Sequence, residues 1–137
     1  MARLETRGRA RALQALYAWD MRDGLPLDRV AALVWDDLMV APEERLFAEA
    51  LLRIIAAQGP ELDNDLRDVT TNWRLDRLGA IERCVLRLAA AELSQASTPP
   101  RVVLQEAVRL AERFGSEQSA RFVNGVLDAL ARRMGRL

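Results

Sequence analysis

The sequence predicts an all-α protein, a compact bundle of six to seven helices in two small helical subdomains. Half of the 137 residues are apolar, and only seven Gly and five Pro interrupt them. Apolar residues recur at intervals of three and four, the spacing of a helix that is buried on one face. Runs that would form sheets are nearly absent. We expect one domain over 1–137, with subdomains 1–72 and 73–137 and the polar run Thr70-Thr71-Asn72 at their boundary.

Three helices are predicted in the first half. The first covers about residues 6–21 and the second about 27–39, with Asp28 as N-cap and Leu38 facing inward. The third opens at Pro42, carries Leu46 on its buried stripe, and ends near residue 69. Gly59-Pro60 should break or kink this third helix.

The second half should supply the centre of the bundle. A helix over about residues 80–94 is apolar around most of its circumference, which is typical of a central helix. The next helix follows Thr98-Pro99-Pro100 and ends at Gly115, which we expect to be a C′ glycine. Ser116 or Ser119 should cap the last helix, and Gly125 within it should permit close helix packing.

Composition argues against an enzyme. The chain has no His and one Cys, so it lacks the commonest acid–base catalyst and cannot build a zinc site. Glycine-rich phosphate loops are also missing, and acidic pairs such as Asp36-Asp37 fit solvated helix faces. Cys84 lies in an apolar run and should be a core residue. We therefore expect a non-enzymatic binding protein without cofactor or metal.

Charge is unevenly distributed along the chain. Residues 1–19 carry four Arg and one Glu, a sum of +3, and residues 101–137 carry seven Arg and four acids, again +3. Because the whole chain is neutral, residues 20–100 carry −6. If the basic ends meet, they form a patch suited to phosphates. No apolar run approaches the length of a membrane span, and no signal peptide is evident, which predicts a cytoplasmic protein.

The first helix carries the clearest candidate binding surface. Arg3, Arg7, Arg11 and Gln14 share one arc, opposite the apolar face. A merely soluble surface is the alternative explanation for this stripe. Arg9 instead falls in the apolar arc, so it should lie at a frayed helix start or reach toward an anionic partner.

The start of the last helix is the second candidate surface. Gln118 and Arg121 add hydrogen-bond donors near a helix N-terminus, which attracts anions. Phe122 lies at the edge of the apolar stripe, where its ring could cap the core or stack on a base. Glu92 falls on an apolar face and should pair with a buried arginine that the sequence does not identify.

Four segments in register resemble the NusB family of transcription antitermination factors. They are Arg9-Ala10-Arg11-Ala12-Leu13-Gln14-Ala15-Leu16-Tyr17, Leu86-Arg87-Leu88-Ala89-Ala90-Ala91-Glu92-Leu93, Gln105-Glu106-Ala107-Val108-Arg109-Leu110-Ala111, and Phe114-Gly115 with Phe122-Val123-Asn124-Gly125-Val126-Leu127-Asp128. The resemblance implies binding of boxA-type RNA of ribosomal RNA operons together with NusE, a small-subunit ribosomal protein. Other Nus factors and RNA polymerase would be indirect partners.

The same resemblance implies roles for individual residues. The arginine-rich N-terminus with Arg9, Gln14 and Tyr17 would contact RNA, as would Gln118, Arg121 and Phe122. Glu82 would lie at the NusE-facing surface, with an ordinary solvated glutamate as the alternative.

Three departures from the family pattern involve four positions. Glu5 and Thr6 replace basic residues, which should weaken RNA affinity, and Gln118 replaces an acid, which should favour it. Ala91 replaces an aromatic residue and would alter the partner surface.

The alternative function is a helical protein–protein interaction module, possibly a homodimer that masks the RNA-binding arginines.

Overall fold

A computed structural model describes residues 3–22, 24–70 and 77–137. In these ranges the chain forms helices and no strand, which confirms the predicted all-α class. The six helices are α1 (Leu4–Asp20), α2 (Leu27–Asp37), α3 (Pro42–Val69), α4 (Ala80–Leu93), α5 (Pro100–Phe114) and α6 (Glu117–Arg133). The expected subdomain boundary after residue 72 lies outside the described residues, so the division into 1–72 and 73–137 stays a prediction.

α4 is the central helix, as its sequence predicts. It packs against α1, α3, α5 and α6, and its residues from Cys84 to Leu93 are buried except for Arg87. Ala91 is fully buried there, so its replacement of an aromatic residue affects the core and not a partner surface. The burial of Cys84 confirms that the cysteine is a core residue.

α3 is a single helix of 28 residues that continues through Gly59-Pro60, so of the two predicted outcomes, a break or a kink, the break does not occur. Proline lacks the N–H that would bond to the carbonyl of Ala56. Ala56 and Pro60 are both exposed, so water can satisfy that carbonyl. Leu62 and Leu66, which follow the proline, are buried, and their packing against the core keeps the helix continuous.

Two predicted inward leucines are exposed. Leu38 is 45% exposed because α2 ends at Asp37, and the chain then turns through Met39, whose φ is 54°. Leu46 is 69% exposed because it is two residues from buried Ala48 and points about 200° away from it on the helix. Asp28 is not the N-cap of α2, since Pro26 occupies that position.

Close contacts that leave no room for a Cβ occur at Gly8 and Gly115, and not at the predicted Gly125. A Cβ on Gly8 of α1 would lie 2.6 Å from Phe47 Cδ1 of α3. Gly115 ends α5 without a left-handed conformation (φ −122°), and a Cβ there would lie 2.8 Å from the Ala111 carbonyl oxygen. Gly125 is exposed with no neighbour within 4 Å of such a Cβ, so its predicted packing role is wrong.

No helix in the described ranges combines the length and apolar character needed to cross a bilayer. No group of three or more Cys, Asp or Glu side chains in those ranges is placed to hold a metal ion.

Candidate nucleic-acid interface

The arginine stripe of α1 is held in place by α3. Glu44 of α3 accepts hydrogen bonds from Arg7 Nε at 3.0 Å and from Arg11 Nε at 2.9 Å. Arg11 also donates to Gln14 Oε1 at 3.2 Å. The hydrogen bond from Arg11, reinforced by Arg7, holds the pKa of Glu44 below its usual value. Arg7 and Arg11 both stay partly open to solvent, so the stripe is oriented by a buried carboxylate and still accessible.

The other predicted side chains of α1 extend this surface. Arg3 is the N-cap residue and is exposed, while Gln14 is half-buried. Tyr17 is 38% exposed and lies two turns farther along than Arg9. These three residues therefore line the solvent side of α1 from its first residue to near its end.

Arg9 lies inside the helix and inside the core, which contradicts the expected frayed start. Its Nε donates to Glu92 Oε1 at 2.9 Å, and its Nη1 donates to Glu106 Oε1 at 3.0 Å. Its guanidinium also lies 5.3 Å from the ring centroid of Phe47. Burial alone would lower the pKa of Arg9, but the two carboxylates outweigh it and raise the pKa. The buried partner predicted for Glu92 is thus Arg9.

The first turn of α6 presents the second group of predicted residues. Ser116 caps the helix by accepting from Ser119 N at 3.1 Å, which confirms one of the two predicted caps. Gln118 and Arg121 are exposed, and Phe122 is half-buried against the core. Phe122 therefore packs as a core cap and also retains exposed surface.

Arg121 and Phe122 belong to different flanks of α6. Arg121 lines a groove between α5 and α6 together with Glu112 and Glu117. Arg121 forms no hydrogen bond or ion pair with the described residues. Its guanidinium donors are open to solvent, but the two acids of the groove oppose the approach of an anion from that side.

Glu82 connects α4 to the start of α6. Its carboxylate accepts a hydrogen bond from the Ser119 hydroxyl, and the side chain is half-buried. The expected alternative of an ordinary solvated glutamate is therefore wrong. A substitution of Glu82 would remove its hydrogen bond to Ser119 and so disturb the start of α6, which carries Gln118 and Phe122.

The two predicted groups lie on helices that share α4 as a neighbour. α1 packs against α2, α3 and α4, while α6 packs against α3, α4 and α5. The link from α1 toward the α5–α6 pair runs through Glu106 of α5, which accepts from Arg9 and from the Thr6 hydroxyl. Thr6, whose replacement of a basic residue should weaken RNA affinity, thus has a structural partner in α5.

Two arginines of α5 were not among the predicted binding residues. Arg109 and Arg113 line a cleft with Thr6 and Arg9 of α1. Arg113 stacks over Phe114 at 4.8 Å from the ring centroid. Glu106, Arg109 and Arg113 recur at intervals of three and four, so a helical wheel of α5 could have identified this charged face.

These features define an all-helical protein whose candidate binding groups are surface arginines, amides and one half-buried aromatic ring, held around a central helix. The NusB family model matches residues 6–132, and the chain belongs to the NusB family.

Relatives and solved structures agree with this assignment. The chain is 44% identical to the transcription antitermination protein NusB of Sorangium cellulosum (strain So ce56), over 95% of this chain and 93% of that protein. It is 42% identical to the NusB protein of Anaeromyxobacter dehalogenans (strain 2CP-1 / ATCC BAA-258), over 96% and 92%.

Among solved structures, T. maritima NusB superposes with a TM-score of 0.87 at 30% identity, over 96% of this chain and 93% of that one. NusB in a crystal structure of antitermination factors NusB and NusE with dsRNA superposes with a TM-score of 0.85 at 28% identity, over 97% and 99%.

Proposed function

We propose that this protein is a non-enzymatic, RNA-binding transcription antitermination factor that acts on ribosomal RNA operons. It binds boxA-type single-stranded RNA together with NusE, and it works in the cytoplasm, where RNA polymerase and the other Nus factors are its indirect partners. The observation that carries this proposal is the 44% identity to an antitermination protein over nearly the full length of both chains. The solved complex of NusB with NusE and dsRNA supports both partners.

Two surfaces would contact the RNA. Arg3, Arg7, Arg11, Gln14 and Tyr17 form the exposed side of α1, where Glu44 fixes the orientation of two arginines. Such exposed guanidinium groups bind backbone phosphates without reading sequence. Arg9 acts through structure in this proposal, because its donors are engaged by Glu92 and Glu106.

The start of α6 would contribute base recognition. Gln118 and Arg121 are exposed donors near the capped N-terminus, and the half-buried ring of Phe122 is anchored in the core. An anchored ring loses little side-chain entropy when a base stacks on it. Glu82 would help to form the NusE surface, and its bond to Ser119 would couple NusE binding to the position of the α6 turn.

The test is RNA affinity measured with boxA and scrambled RNA, each with and without NusE. We expect preference for boxA that NusE increases, and equal affinity for both RNAs under all conditions would refute the function. Phe122→Ala should weaken boxA binding by about 1–3 kcal/mol if a base stacks on the ring.

Phe122→Leu is the matched control, because leucine keeps apolar packing and removes the aromatic face. Loss of affinity in both variants supports stacking. Full affinity in a folded Phe122→Leu protein would assign the ring to the core alone.

The alternative is an interaction module whose homodimer masks the α1 arginines. Light scattering at several concentrations separates the two functions. Only the alternative requires a dimer that dissociates when RNA is added.

A further inference from the structure

We propose that Arg109 and Arg113 of α5 bind the phosphate backbone of RNA at the rim of the cleft between α5 and the start of α1. The cleft itself has a volume of only about 30 Å³, so the phosphates lie against the rim and not inside it. The inference rests on the proposed function and deepens it, because it adds two contacts from a helix outside the predicted RNA-binding surfaces. The cleft lies between α1 and α5 and is lined by Thr6, Arg9, Glu106, Arg109, Leu110 and Arg113.

The two carboxylates at the base of the cleft share one buried cation, Arg9, so this cluster carries a net charge of −1. Glu106 accepts hydrogen bonds from the Thr6 hydroxyl and from Arg9, and its side chain is largely buried. Glu92 lies deeper and is engaged by the same arginine. With Arg109 and Arg113 at the rim the cleft carries three arginines and two carboxylates, a net charge of +1, so it is the two rim arginines that make it attractive to a phosphate.

The two arginines at the rim keep free donors. The side chain of Arg109 is 64% exposed, and its nearest carboxylate oxygen, on Glu106, is 3.8 Å away, beyond hydrogen-bond distance. Arg113 forms no hydrogen bond or ion pair with the described residues. Its guanidinium face stacks over Phe114, and this leaves the N–H groups at the edge of the plane to donate.

Several other exposed arginines in the described ranges have closer partners. Arg132 lies 2.9 Å from Asp128 and Arg133 lies 2.8 Å from Asp68. Arg109 and Arg113 are four positions apart on α5, about 6 Å along the axis. They face α1 across the cleft, whose α1 side is formed by Thr6 and Arg9.

The ligand is a phosphate backbone and not a base, because the rim carries two exposed cations four positions apart and Arg113 already covers the Phe114 ring. Contacts of this kind add affinity without sequence preference. Each phosphate contact to single-stranded RNA contributes about 0.7 to the slope of log affinity on log salt.

The experiment compares the double variant Arg109→Gln/Arg113→Gln with wild type. We expect the salt slope to become shallower by about 1.4, which corresponds to roughly tenfold weaker binding at 0.15 M salt. BoxA and scrambled RNA should weaken by the same factor. The matched control is Arg53→Gln/Arg67→Gln, which removes the same charge from exposed positions of α3 and should bind nearly as wild type does.

The possible failures are distinguishable. If wild type binds no RNA, the proposed function fails. If wild type binds RNA and the α5 variant keeps the same affinity and slope, only the cleft is refuted. Loss of boxA binding without loss of scrambled RNA binding would assign these arginines to bases. Loss of NusE binding in the absence of RNA would make the cleft a protein surface, and both results overturn the inference.

Discussion

Arg9 of α1 and Glu92 of α4 form a two-pronged ion pair in the core, although 83 positions separate them in the sequence. Glu106 of α5 joins the same guanidinium, so one side chain connects three helices. No buried side-chain nitrogen or oxygen in the described part of the chain lacks a hydrogen-bond partner. The cluster therefore fixes how α5, with its cleft arginines, sits against α1.

Removal of Arg9 should cost more stability than removal of Glu92. Arg9→Met leaves buried Glu92 without a cation and Glu106 with only Arg109, 3.8 Å away, and we expect a loss of about 3–5 kcal/mol in the free energy of unfolding. Glu92→Gln leaves Arg9 balanced by Glu106, so its loss should be smaller. Urea unfolding measures both variants. A larger loss for Glu92→Gln would contradict the pairing described here.

Alanine should have opposite effects at two helical glycines. Gly8→Ala places a methyl group against Phe47, and overpacking of this kind costs about 1–3 kcal/mol. Gly125→Ala meets no neighbour and should stabilise α6 by about 0.5–1 kcal/mol. Thermal unfolding of both variants under one condition provides the comparison, and a stabilised Gly8→Ala protein would show that α1 and α3 can separate without cost.

Acid should destabilise the fold through Asp20 and Glu44. Burial alone would raise the pKa of Asp20, but hydrogen bonds and charges from Arg83 and Arg87 outweigh it and lower the pKa. The pKa of Glu44 is also lowered, chiefly by Arg11. A lowered carboxyl pKa contributes stability that is complete above the unfolded value, about 4, and is lost as pH falls through the folded value.

The contribution of Asp20 and Glu44 to the free energy of unfolding should therefore be constant between pH 7 and about 5 and should decrease below about pH 4. Urea titrations across this range provide the measurement. Asp20→Asn should be less stable at pH 7 and show a shallower acid decrease. An unchanged acid limb would mean that Asp20 is not ion-paired in solution.

Cys84 should be inert in the native protein. Burial, with Asp20 nearby, raises the pKa of its thiol to about 12, so almost no thiolate exists at pH 8. A disulfide reagent such as DTNB should label it slowly in buffer and rapidly in urea. Because Cys84 is the single cysteine, complete labelling in urea should give one equivalent. Rapid native labelling would show that α4 opens readily.

The positions of the helices and the central place of α4 follow from local sequence patterns. Apolar spacing and helix capping both depend on residues that are only a few positions apart in the chain. Ser116 is a predicted cap, and α3 ends at Val69 as its apolar period indicates. The same local reasoning required a buried arginine partner for Glu92, since an unpaired buried charge is too costly.

Which arginine pairs with Glu92 depends on the tertiary structure. A helical wheel places Arg9 on the apolar face but gives no information on what lies across it, and the carboxylates come from positions 92 and 106. The close approach at Gly8 likewise depends on Phe47 of another helix. The cleft beside Arg109 and Arg113 forms where Thr6 and Arg9 of α1 meet Glu106 of α5, a long-range contact that no local pattern specifies.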